Sequence, residues 1–278
     1  MPKLETLVED IYKLFDPNTH HEPNEENIEE FLGNMRDLLK VRLSERNRDA
    51  SPLRFSNLGK PNRQIWYMAN NYEGEELTAK TYFKFLYGDI IEQMLLFLCK
   101  EAGHEVTHPQ AEVEVNGVKG HIDAVIDGVT VDVKSASPYG YKKFKDGTLF
   151  QEDPFGYLNQ LGGYANVVTP DTGGAFLAFN KVDGDICLLP MGTSIIGDYE
   201  PEGRIAELKY ICNTAIPPER CYDAEPDGKS GNMKLGVNCS YCPFKKECWP
   251  GLRTFIYSTG PRFLTKVEKV PDVYEVQK

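Results

Sequence analysis

The chain has 278 residues, of which 41% are hydrophobic and 26% are charged. This length and composition fit one large globular domain, or one domain with a modest addition, and they exclude a disordered chain. With 31 basic and 42 acidic residues the formal net charge is −11, which is not the overall charge of a typical nucleic-acid binder. The longest apolar run, at 90–98, is interrupted by Glu92 and Gln93, so we predict no membrane span.

Hydrophobic periodicity predicts helices over the first fifty residues, with a polar break at 16–25 that contains Pro17 and Pro23. The first fifteen residues show no basic segment leading into an apolar one, so we expect no secretory signal and a cytoplasmic protein. We interpret 1–50 as a helical arm. A long helix is predicted at about 76–102, and it is so apolar that most of its faces must be covered.

After the long helix the apolar period changes to two. Three strands are predicted, at 111–115, 118–126 and 129–134. They are joined by Asn116-Gly117 and Asp127-Gly128, which are strong turn dipeptides. The remaining elements are predicted in this order: a helix at 154–168, strands at 174–179 and 185–189, and a helix at 203–213. This order predicts a mixed α/β fold around a small central sheet. The tail from Cys221, rich in Gly, Pro and Cys, is predicted to be dominated by loops.

The most informative stretch surrounds the Asp127-Gly128 turn. If these are the two central residues of a hairpin, Asp123 lies directly across from Asp132. Opposed residues have β-carbons about 4.5–5.5 Å apart, so like charges at such a pair are destabilising. A divalent cation between them removes that penalty, because carboxylate oxygens are the ligands that Mg²⁺ prefers. Lys134 projects from the same face as Asp132, so two acids and an amine converge.

An exposed hairpin face with scattered charges is the plain alternative, but these strands are largely apolar, so charges on them need partners. Glu92 adds a third carboxylate. It lies in the predicted apolar helix, where an unpaired carboxylate is costly, and Gly88 one turn earlier leaves space beside it. A structural salt bridge would also explain Glu92. Next to an acid-rich hairpin, we expect it to face a metal. Gln160 and Tyr164 share one face of the helix at 154–168, a spacing that alone indicates a surface hydrogen bond.

These short motifs follow one another in a fixed order: Gly88-x-x-x-Glu92, Gly120-x-x-Asp123, Asp132-x-Lys134 and Gln160-x-x-x-Tyr164. In this order and spacing, from about Arg54 to Trp249, the chain resembles the RecB-type branch of the PD-(D/E)XK nucleases, and within it phage-encoded exonucleases. The resemblance implies a restriction-endonuclease-like core, in which a mixed central sheet is flanked by helices.

The resemblance also implies roles. Asp123 and Asp132 would bind Mg²⁺ or Mn²⁺, with Glu92 as an additional ligand. Lys134 would orient and activate the attacking water. Residues Gln160 and Tyr164 would steer the DNA strand. The chemistry agrees, because phosphodiester hydrolysis needs polarised oxygens, a positioned water and cationic stabilisation of the developing charge.

Charge is distributed unevenly along the chain, which suggests a path for DNA. Residues 1–50 carry 7 basic and 12 acidic side chains, whereas 229–269 carries 8 basic and 2 acidic ones. A second basic run comprises Lys142, Lys143 and Lys145. We predict that these two basic regions line the DNA path, because the rest of the chain is net negative and would repel phosphate. Solvated lysines on loops are the alternative for any one of them.

Three of the seven cysteines crowd together, at Cys239, Cys242 and Cys248. In a chain with no predicted signal, this crowding indicates metal binding rather than disulfides. Nuclease relatives with an iron–sulfur cluster, such as AddB and the CRISPR-associated exonucleases, carry a similar C-terminal triple. Their fourth ligand precedes the nuclease core, where this chain has Pro61 and Asn62, so Cys221 is the best remaining fourth ligand.

Four thiolates suit either tetrahedral zinc or a 4Fe–4S cluster. One compact triple with one distant cysteine, together with the likeness to the cluster-bearing nucleases, favours the 4Fe–4S cluster, and zinc remains the alternative. The other three cysteines lie in apolar contexts and are predicted to be buried fillers: Cys99, Cys187 and Cys212.

We therefore expect a helical arm at 1–50, a nuclease core at 51–220 and a cysteine-bound clasp and tail at 221–278. The expected function is that of a metal-dependent DNA exonuclease of phage type in replication, recombination or repair, acting in the host cytoplasm if phage-encoded. DNA is the expected partner, and a recombinase or a single-strand annealing or binding protein is a candidate second partner. We expect no membrane partner. We also expect no ATP, because Asp223 stands where a phosphate loop needs glycine.

Two other functions stay open. A non-catalytic DNA-binding or recombination-accessory protein could keep the same fold, but the intact set of Asp123, Asp132 and Lys134 argues against it. A purely structural metal-cluster protein would leave the acidic hairpin unexplained.

Overall fold

The computed structural model describes residues 3–44 and 53–277. The protein divides into two compact units, Met1–Gly59 with Leu77–Ile205 and Lys60–Glu76 with Ala206–Lys278. The predicted arm and most of the predicted core lie in the first unit. The tail lies in the second unit together with 60–76. No helix of the described residues is both long and apolar enough to cross a lipid bilayer.

The α-helices are α1 (Leu7–Lys13), α2 (Glu25–Ser44), α3 (Asn62–Ala69), α4 (Ala79–Glu101), α5 (Pro138–Lys145), α6 (Tyr157–Val168), α7 (Thr193–Ile196), α8 (Pro201–Cys212), α9 (Val237–Ser240) and α10 (Lys245–Cys248). Short 3-10 turns lie at Leu4–Thr6, Phe55–Asn57, Thr148–Phe150 and Gly197–Tyr199. The strands are β1 (Val106–Thr107), β2 (Glu112–Val115), β3 (Val118–His121), β4 (Ala124–Ile126), β5 (Val129–Ala136), β6 (Gly174–Asn180), β7 (Ile186–Met191), β8 (Glu225–Pro226), β9 (Met233–Lys234), β10 (Arg253–Tyr257), β11 (Gly260–Lys266) and β12 (Tyr274–Glu275).

The first unit is built on a mixed five-stranded sheet of order β1-β4-β5-β6-β7. Strands β5 and β6 are parallel, and the other neighbours are antiparallel. The parallel pair requires a crossover, which α5 and α6 provide. The predicted mixed α/β class is confirmed.

The sheet is covered on both faces, because alternate residues of its central strands enter different cores. Val131 and Val133 of β5 pack with α1 and α4, through side chains such as Leu95. Phe176 of β6 packs on the other side with α5 and α6, where Leu161 is fully buried. Strand β5 thus directs Val131 and Val133 into one core, while Asp132 and Lys134 lie on its other face.

The described part of the predicted helical arm, residues 3–44, contains α1 and α2, and residues 45–50 of the prediction lie outside the described residues. The Phe31 and Phe97 rings lie 5.1 Å apart between α2 and α4, and Arg42 forms an ion pair with Asp89. Both helices of the arm therefore belong to the same compact unit as the sheet.

The predicted hairpin register is confirmed for its inner pairs. Ile126 pairs with Val129 and Ala124 with Val131. Asp127 has a φ of 49° and Gly128 of 80°, the left-handed conformations that a two-residue hairpin turn of this kind needs.

The turn is fastened to the end of α4 by the Asp127 side chain. The backbone N–H of Glu105 donates to Asp127 Oδ1 at 3.0 Å. His104, whose side chain is fully buried, has its Nδ1 2.6 Å from Asp127 Oδ2. Asp127 thus shapes the turn and also anchors it.

The predicted strand at 118–126 is wrong in one respect, because it is broken at Ile122 and Asp123. Strand β3 pairs with β2 in a separate two-stranded sheet, whereas β4 pairs with β5. The chain changes sheets at these two residues while their backbone groups stay paired: the N–H of Ile122 donates to Ala111, and the N–H of Gln110 donates to Asp123 O, both at 3.1 Å. Asp123 is consequently a corner residue.

Helix α5 was not predicted, although its start has a clear signal. Ser137 is the N-cap, with its hydroxyl accepting from the Gly140 N–H, and Pro138 opens the helix. The basic run at 142–145 therefore lies on a helix rather than a loop.

The prediction of a loop-dominated tail missed a sheet, although most of the described residues of the tail lie outside helices and strands. Residues 225–275 contain a five-stranded sheet of order β12-β10-β11-β9-β8. Phe255 and Leu264 are fully buried in it. The β10–β11 hairpin turns through Ser258 and Thr259, a pair without the turn signature of Asn-Gly or Asp-Gly, and for that reason the sequence did not reveal it. A separate cluster of this unit packs Trp66 and Phe244 together.

Gly120 is required by a close approach in the first unit. A Cβ atom at this position would overlap Tyr164 Oη and Phe55 Cβ. We expect Gly120→Ala to lower the free energy of unfolding by about 1–3 kcal/mol, the usual cost of overpacking a core. Urea denaturation measures this change.

The matched control is Gly33→Ala on α2, where no heavy atom lies within 4 Å of an added Cβ. Alanine should stabilise that helix by up to about 1 kcal/mol. Equal stability of the two variants would show that Gly120 is not tightly packed.

Candidate active site

Strand β5 carries two of the predicted site residues on its polar face. Asp132 and Lys134 are two residues apart, so both project to the same side. Asp132 is only 3% exposed, and its Oδ2 forms an ion pair with Lys134 Nζ. That oxygen is sealed from solvent and accepts no well-oriented hydrogen bond from the described residues. A buried carboxylate oxygen in this state can still accept a further positive ligand.

Asp123 reaches the same spot from the corner between the two sheets. Its Oδ2 accepts a 2.7 Å hydrogen bond from the backbone N–H of Val133, the residue between Asp132 and Lys134. The strand ladder ends at Ala124, so Asp123 is held by its side chain rather than by strand pairing. The predicted juxtaposition of the two aspartates is present, with a different local cause.

Glu92 approaches from α4, where it is half-buried. Gln110 Nε2 donates to Glu92 Oε1 at 2.6 Å, a contact that the sequence analysis missed. Gln110 precedes β2 and has a φ of 54°, so no helical or strand periodicity could place it. Its backbone N–H also donates to the backbone carbonyl of Asp123, and Gln110 therefore links the Glu92 carboxylate to the backbone of Asp123.

Burial raises the pKa values of all three carboxyl groups, and neighbouring acids add to the effect for Glu92 and Asp123. Burial, then Asp89, then Asp132 raise the pKa of Glu92 to about 7, against the lowering effects of Gln110 and Lys134. Burial, followed by the charges of Glu92 and Asp132, raises the pKa of Asp123 well above its usual value. Burial also raises the pKa of Asp132, although Lys134 opposes it. Without a further cation, ionisation of all three carboxyl groups is energetically unfavourable.

Lys134 is the one cation of this cluster. Burial alone would lower its pKa, but Asp132 and Asp123 together raise it above the usual value. Its Nζ also lies 4.9 Å from the centre of the Tyr157 ring, a cation–π distance. Tyr157 begins α6 and was not predicted as a site residue. Lys134 is therefore held as an ammonium between carboxylates and an aromatic face.

The carboxylates have the chemistry of a divalent-cation site. Three carboxyl groups lie close together, and among the described residues the buried Asp132 Oδ2 has only the Lys134 ammonium as a partner. A cation would relieve the repulsion that helps to raise the pKa of Asp123. Within residues 3–44 and 53–277, however, no three His, Cys, Asp or Glu side chains are already arranged as a finished metal site. Cation binding here would require the Asp132–Lys134 ion pair to adjust.

The two residues predicted to steer DNA lie on α6. Tyr164 is 3% exposed, and its ring stacks on Phe55 at 4.9 Å between centres. Burial raises the pKa of its hydroxyl, with further contributions from Asp132 and Asp123. Tyr164 is thus a core residue beside the carboxylates, a location that suits supporting them. Gln160, one turn earlier, is half-buried, and the strand-steering role of both stays a prediction.

Each of the three predicted DNA-binding lysines of α5 has an acidic neighbour. Lys143 is buried, with its Nζ 3.1 Å from Glu152. The other two are exposed, at 3.9 Å from Asp146 for Lys142 and 3.8 Å from Asp185 for Lys145. Exposed pairs of this kind are weak and can be exchanged for phosphate contacts. Lys143 is less accessible for such contacts, because its side chain is buried although that of Glu152 is exposed.

The basic segment 229–269 is also largely paired within the second unit. Its ion pairs are Lys245–Glu75, Lys246–Glu75, Arg253–Glu275, Arg262–Asp227 and Lys266–Glu268. Its local excess of positive charge is therefore smaller than the composition of the segment indicates.

The four predicted cysteine ligands line one cavity of about 40 Å³ in the second unit. Cys221 is exposed, and the others are half-buried: Cys239, Cys242 and Cys248. Burial, followed by the other three sulfurs, raises the pKa of Cys239 to about 11. The four thiols are consequently close enough to interact electrostatically, and a bound cation would favour their thiolate forms.

Arg220 closes one side of this cavity. Its guanidinium lies 4.1 Å from the Trp249 ring centre, and its Nε donates to Cys248 O at 3.0 Å. Of the three predicted filler cysteines, Cys99 is fully buried and Cys187 and Cys212 are half-buried.

Comparison with known proteins adds little. No protein-family model matches the chain, and no curated protein sequence matches it. The solved crystal structure of SSO0001 is similar at 19% identity over 80% of this chain and 96% of that chain, with a TM-score of 0.43. This likeness is too slight to support any statement about the site.

The raised pKa of Glu92 gives a test of the cluster. Between its ordinary value of 4.5 and about 7, the unfolded chain releases a proton that the folded chain keeps. Metal-free protein should therefore lose the contribution of Glu92 to stability as the pH rises through this window. The variant Glu92→Gln cannot ionise at this position. Its free energy of unfolding, compared with that of wild type, should therefore increase by on the order of 3 kcal/mol between about pH 4.5 and about pH 8. Denaturant titrations of metal-free protein at both pH values measure the difference.

The control is Glu29→Gln, at an exposed glutamate of α2, which should follow wild type at both pH values. Adding Mg²⁺ at the higher pH should stabilise wild type more than Glu92→Gln. A Glu92→Gln variant with the pH dependence of wild type would contradict the raised pKa.

Proposed function

We propose that this protein is a metal-dependent deoxyribonuclease, with a restriction-endonuclease-like core, that hydrolyses DNA from its ends. The observation that supports this proposal best is the convergence of Glu92, Asp123 and Asp132 on Lys134 at one corner of the central sheet. Groups with strongly perturbed pKa values in a shared location are characteristic of functional sites. The resemblance of the surrounding motifs to RecB-type nucleases gives the cluster a specific chemistry.

The cluster is difficult to explain as a structural feature. A stabilising ion pair needs one carboxylate for Lys134, and Asp132 already fills that role. Asp123 and Glu92 add negative charge that burial makes costly. A protein that gained nothing from these two acids would be more stable with neutral residues there, whereas a cation-binding protein needs them.

Asp123, Asp132 and Glu92 would hold Mg²⁺ or Mn²⁺. When bound, such a cation supplies Lewis-acid stabilisation of the charge that develops on the phosphate. The carboxylates orient it, because Asp123 is fixed by the Val133 N–H and Glu92 by Gln110. Both supports come from outside the residues that carry the charge.

Lys134 would act as a hydrogen-bond donor with its proton retained. Its neighbours raise its pKa above the usual value, so it is charged at neutral pH and unsuited to be a general base in the metal-free site. An ammonium beside the carboxylates can donate to the attacking water or to a phosphate oxygen as negative charge grows there. The Tyr157 ring limits the positions that its Nζ can take.

The cysteine cavity would hold a second, structural metal. Its four sulfur donors suit a 4Fe–4S cluster, which we favour, or zinc. Bound there, the metal would hold Cys221 to the segment of α9 and α10, which contains few buried residues of its own.

The nuclease proposal predicts that single changes at the cluster abolish cleavage. Asp132→Asn and Lys134→Ala should each reduce Mg²⁺- or Mn²⁺-dependent cleavage of linear DNA by roughly 10²–10³-fold or more. Lys134→Ala should leave DNA affinity nearly unchanged, since this lysine serves the chemistry more than binding. Gel assays on 5′- and 3′-labelled linear and circular DNA measure the rates and separate end-dependent from internal cutting.

Matched controls are Asp171→Asn and Lys181→Ala, at exposed positions outside the cluster, which should keep wild-type rates. Cleavage that survives in EDTA, or wild-type rates in either cluster variant, would contradict the proposal. Binding of DNA without any cleavage by wild type would instead favour a DNA-binding accessory protein.

The cysteine cavity gives a separate prediction about the second metal. Anaerobically purified protein should be brown and should contain iron with acid-labile sulfide. Cys239→Ser should lose this metal and lower the melting temperature, because one of four ligands is gone. Elemental analysis and calorimetry measure both effects.

Cys212→Ser, at a half-buried cysteine of the same unit, is the control and should keep the metal. One zinc per colourless chain would replace the cluster by zinc at the same cysteines. Unchanged metal content and melting in Cys239→Ser would contradict a metal site of either kind.

A further inference from the structure

The first half of α4 exposes an unusual number of aromatic side chains. Four of the six residues at 82–87 are aromatic, and the exposed fractions are 54% for Tyr82, 68% for Phe83, 45% for Phe85 and 39% for Tyr87. The second half of the same helix buries its apolar residues in the core of the sheet, as Ile91 and Leu95 show. Apolar surface that is left exposed in this concentration usually marks a binding surface.

Two of these aromatic residues lie on the face of α4 that carries Glu92. Phe85 precedes Glu92 by seven residues, two turns of helix, so it is on the same face and about 10 Å away along the axis. Tyr82 lies three residues before Phe85, and the two rings meet edge to face, 6.3 Å apart at 88°. Phe83 precedes Glu92 by nine residues and therefore points to the opposite side.

The face between this aromatic pair and the carboxylates has a gap. Gly88 lies there, three residues after Phe85 and four before Glu92. An added Cβ at Gly88 would have only Ser135 Oγ within 4 Å, at 3.5 Å. Because Gly88 has no side chain, it leaves the space between the aromatic pair and Glu92 open.

The charge of this segment matches a polyanion. Lys80 and Lys84 are exposed, and no acidic residue occurs within 79–88. The whole chain has a net charge of −11, so a basic, aromatic stretch leading to the site is a local exception. Aromatic rings interleaved with cations are how proteins bind single-stranded nucleic acid, since bases stack on the rings and phosphates contact the cations.

We propose that Tyr82 and Phe85 form a base-stacking subsite that receives the unpaired bases of a single-stranded DNA end next to the carboxylate cluster. The subsite deepens the proposed nuclease function and rests on it for the direction of the strand. Unpaired bases offer their π-faces to the rings, whereas the bases of a duplex are already stacked on each other. The occupant is therefore single-stranded rather than duplex DNA.

The test measures binding without cleavage, with full-length protein in EDTA. The probes are a fluorescent oligothymidylate of twelve nucleotides, an abasic strand of the same length, and a blunt duplex. The double variant Tyr82→Ala with Phe85→Ala should bind oligothymidylate about tenfold more weakly, and its affinity for the abasic strand should stay that of wild type. Wild type should itself prefer oligothymidylate over the abasic strand.

Phe83→Ala is the matched control, because it removes a more exposed ring from the same helix on the opposite face. It should bind all probes as wild type does. Tyr82→Trp with Phe85→Trp should restore the preference for oligothymidylate, which a merely structural role of the two rings would not do.

Three outcomes would overturn the subsite: unchanged affinity of the double alanine variant, equal losses on the base-containing and abasic strands, or a loss confined to the duplex. A change in oligomeric mass in this variant without a change in DNA affinity would assign the rings to contacts between copies of the chain, and would also overturn it. These measurements need no catalytic metal, so absence of cleavage would refute the nuclease proposal separately.

Discussion

The candidate site depends on the unfavourable free energy of burying the neighbouring carboxylates of Asp123 and Asp132 away from water. The fold meets that cost only partly: Val133 gives Asp123 one backbone hydrogen bond, and Lys134 gives Asp132 one ion pair. Burial still raises the pKa of both acids, and the charges of Glu92 and Asp132 raise that of Asp123 further. The negative charge that the protein leaves uncompensated gives this group of residues affinity for a cation. A fully compensated cluster would have no such affinity.

The rest of the first unit can be understood as a support for this corner. Strand β5 places Val131 and Val133 in one core, so Asp132 and Lys134 must face the other side of the sheet. Helix α4 buries its second half against that core and thereby brings Glu92 to the edge of the sheet. Gln110 then connects Glu92 to the backbone of Asp123. The apolar core thus fixes the positions of the charged residues, although burial of their charges is itself unfavourable.

Short-range signals predicted the parts of the site that depend on them. Asp127-Gly128 is a strong turn pair, and from it the register that brings Asp123 near Asp132 followed. The break at Ile122 could not be foreseen, because an apolar alternation continues through it while the pairing partner changes. Gln110 and Tyr157 were missed for a similar reason, since each acts through a tertiary contact with a residue distant in sequence. The second-unit sheet was missed because its turn, Ser258-Thr259, has no distinctive composition.

The anchoring of the hairpin turn by Asp127 has a consequence for how the site would be lost. The Asp127 carboxylate joins the turn to His104 and Glu105, just beyond the end of α4. Opening the hairpin must therefore release the end of the helix, and fraying of the helix end must loosen the turn. Amide protons around Asp123 and those of the last turns of α4 belong to one cooperative unit on this view, with a shared opening free energy in hydrogen exchange. The two halves of the candidate site would then be present together or absent together.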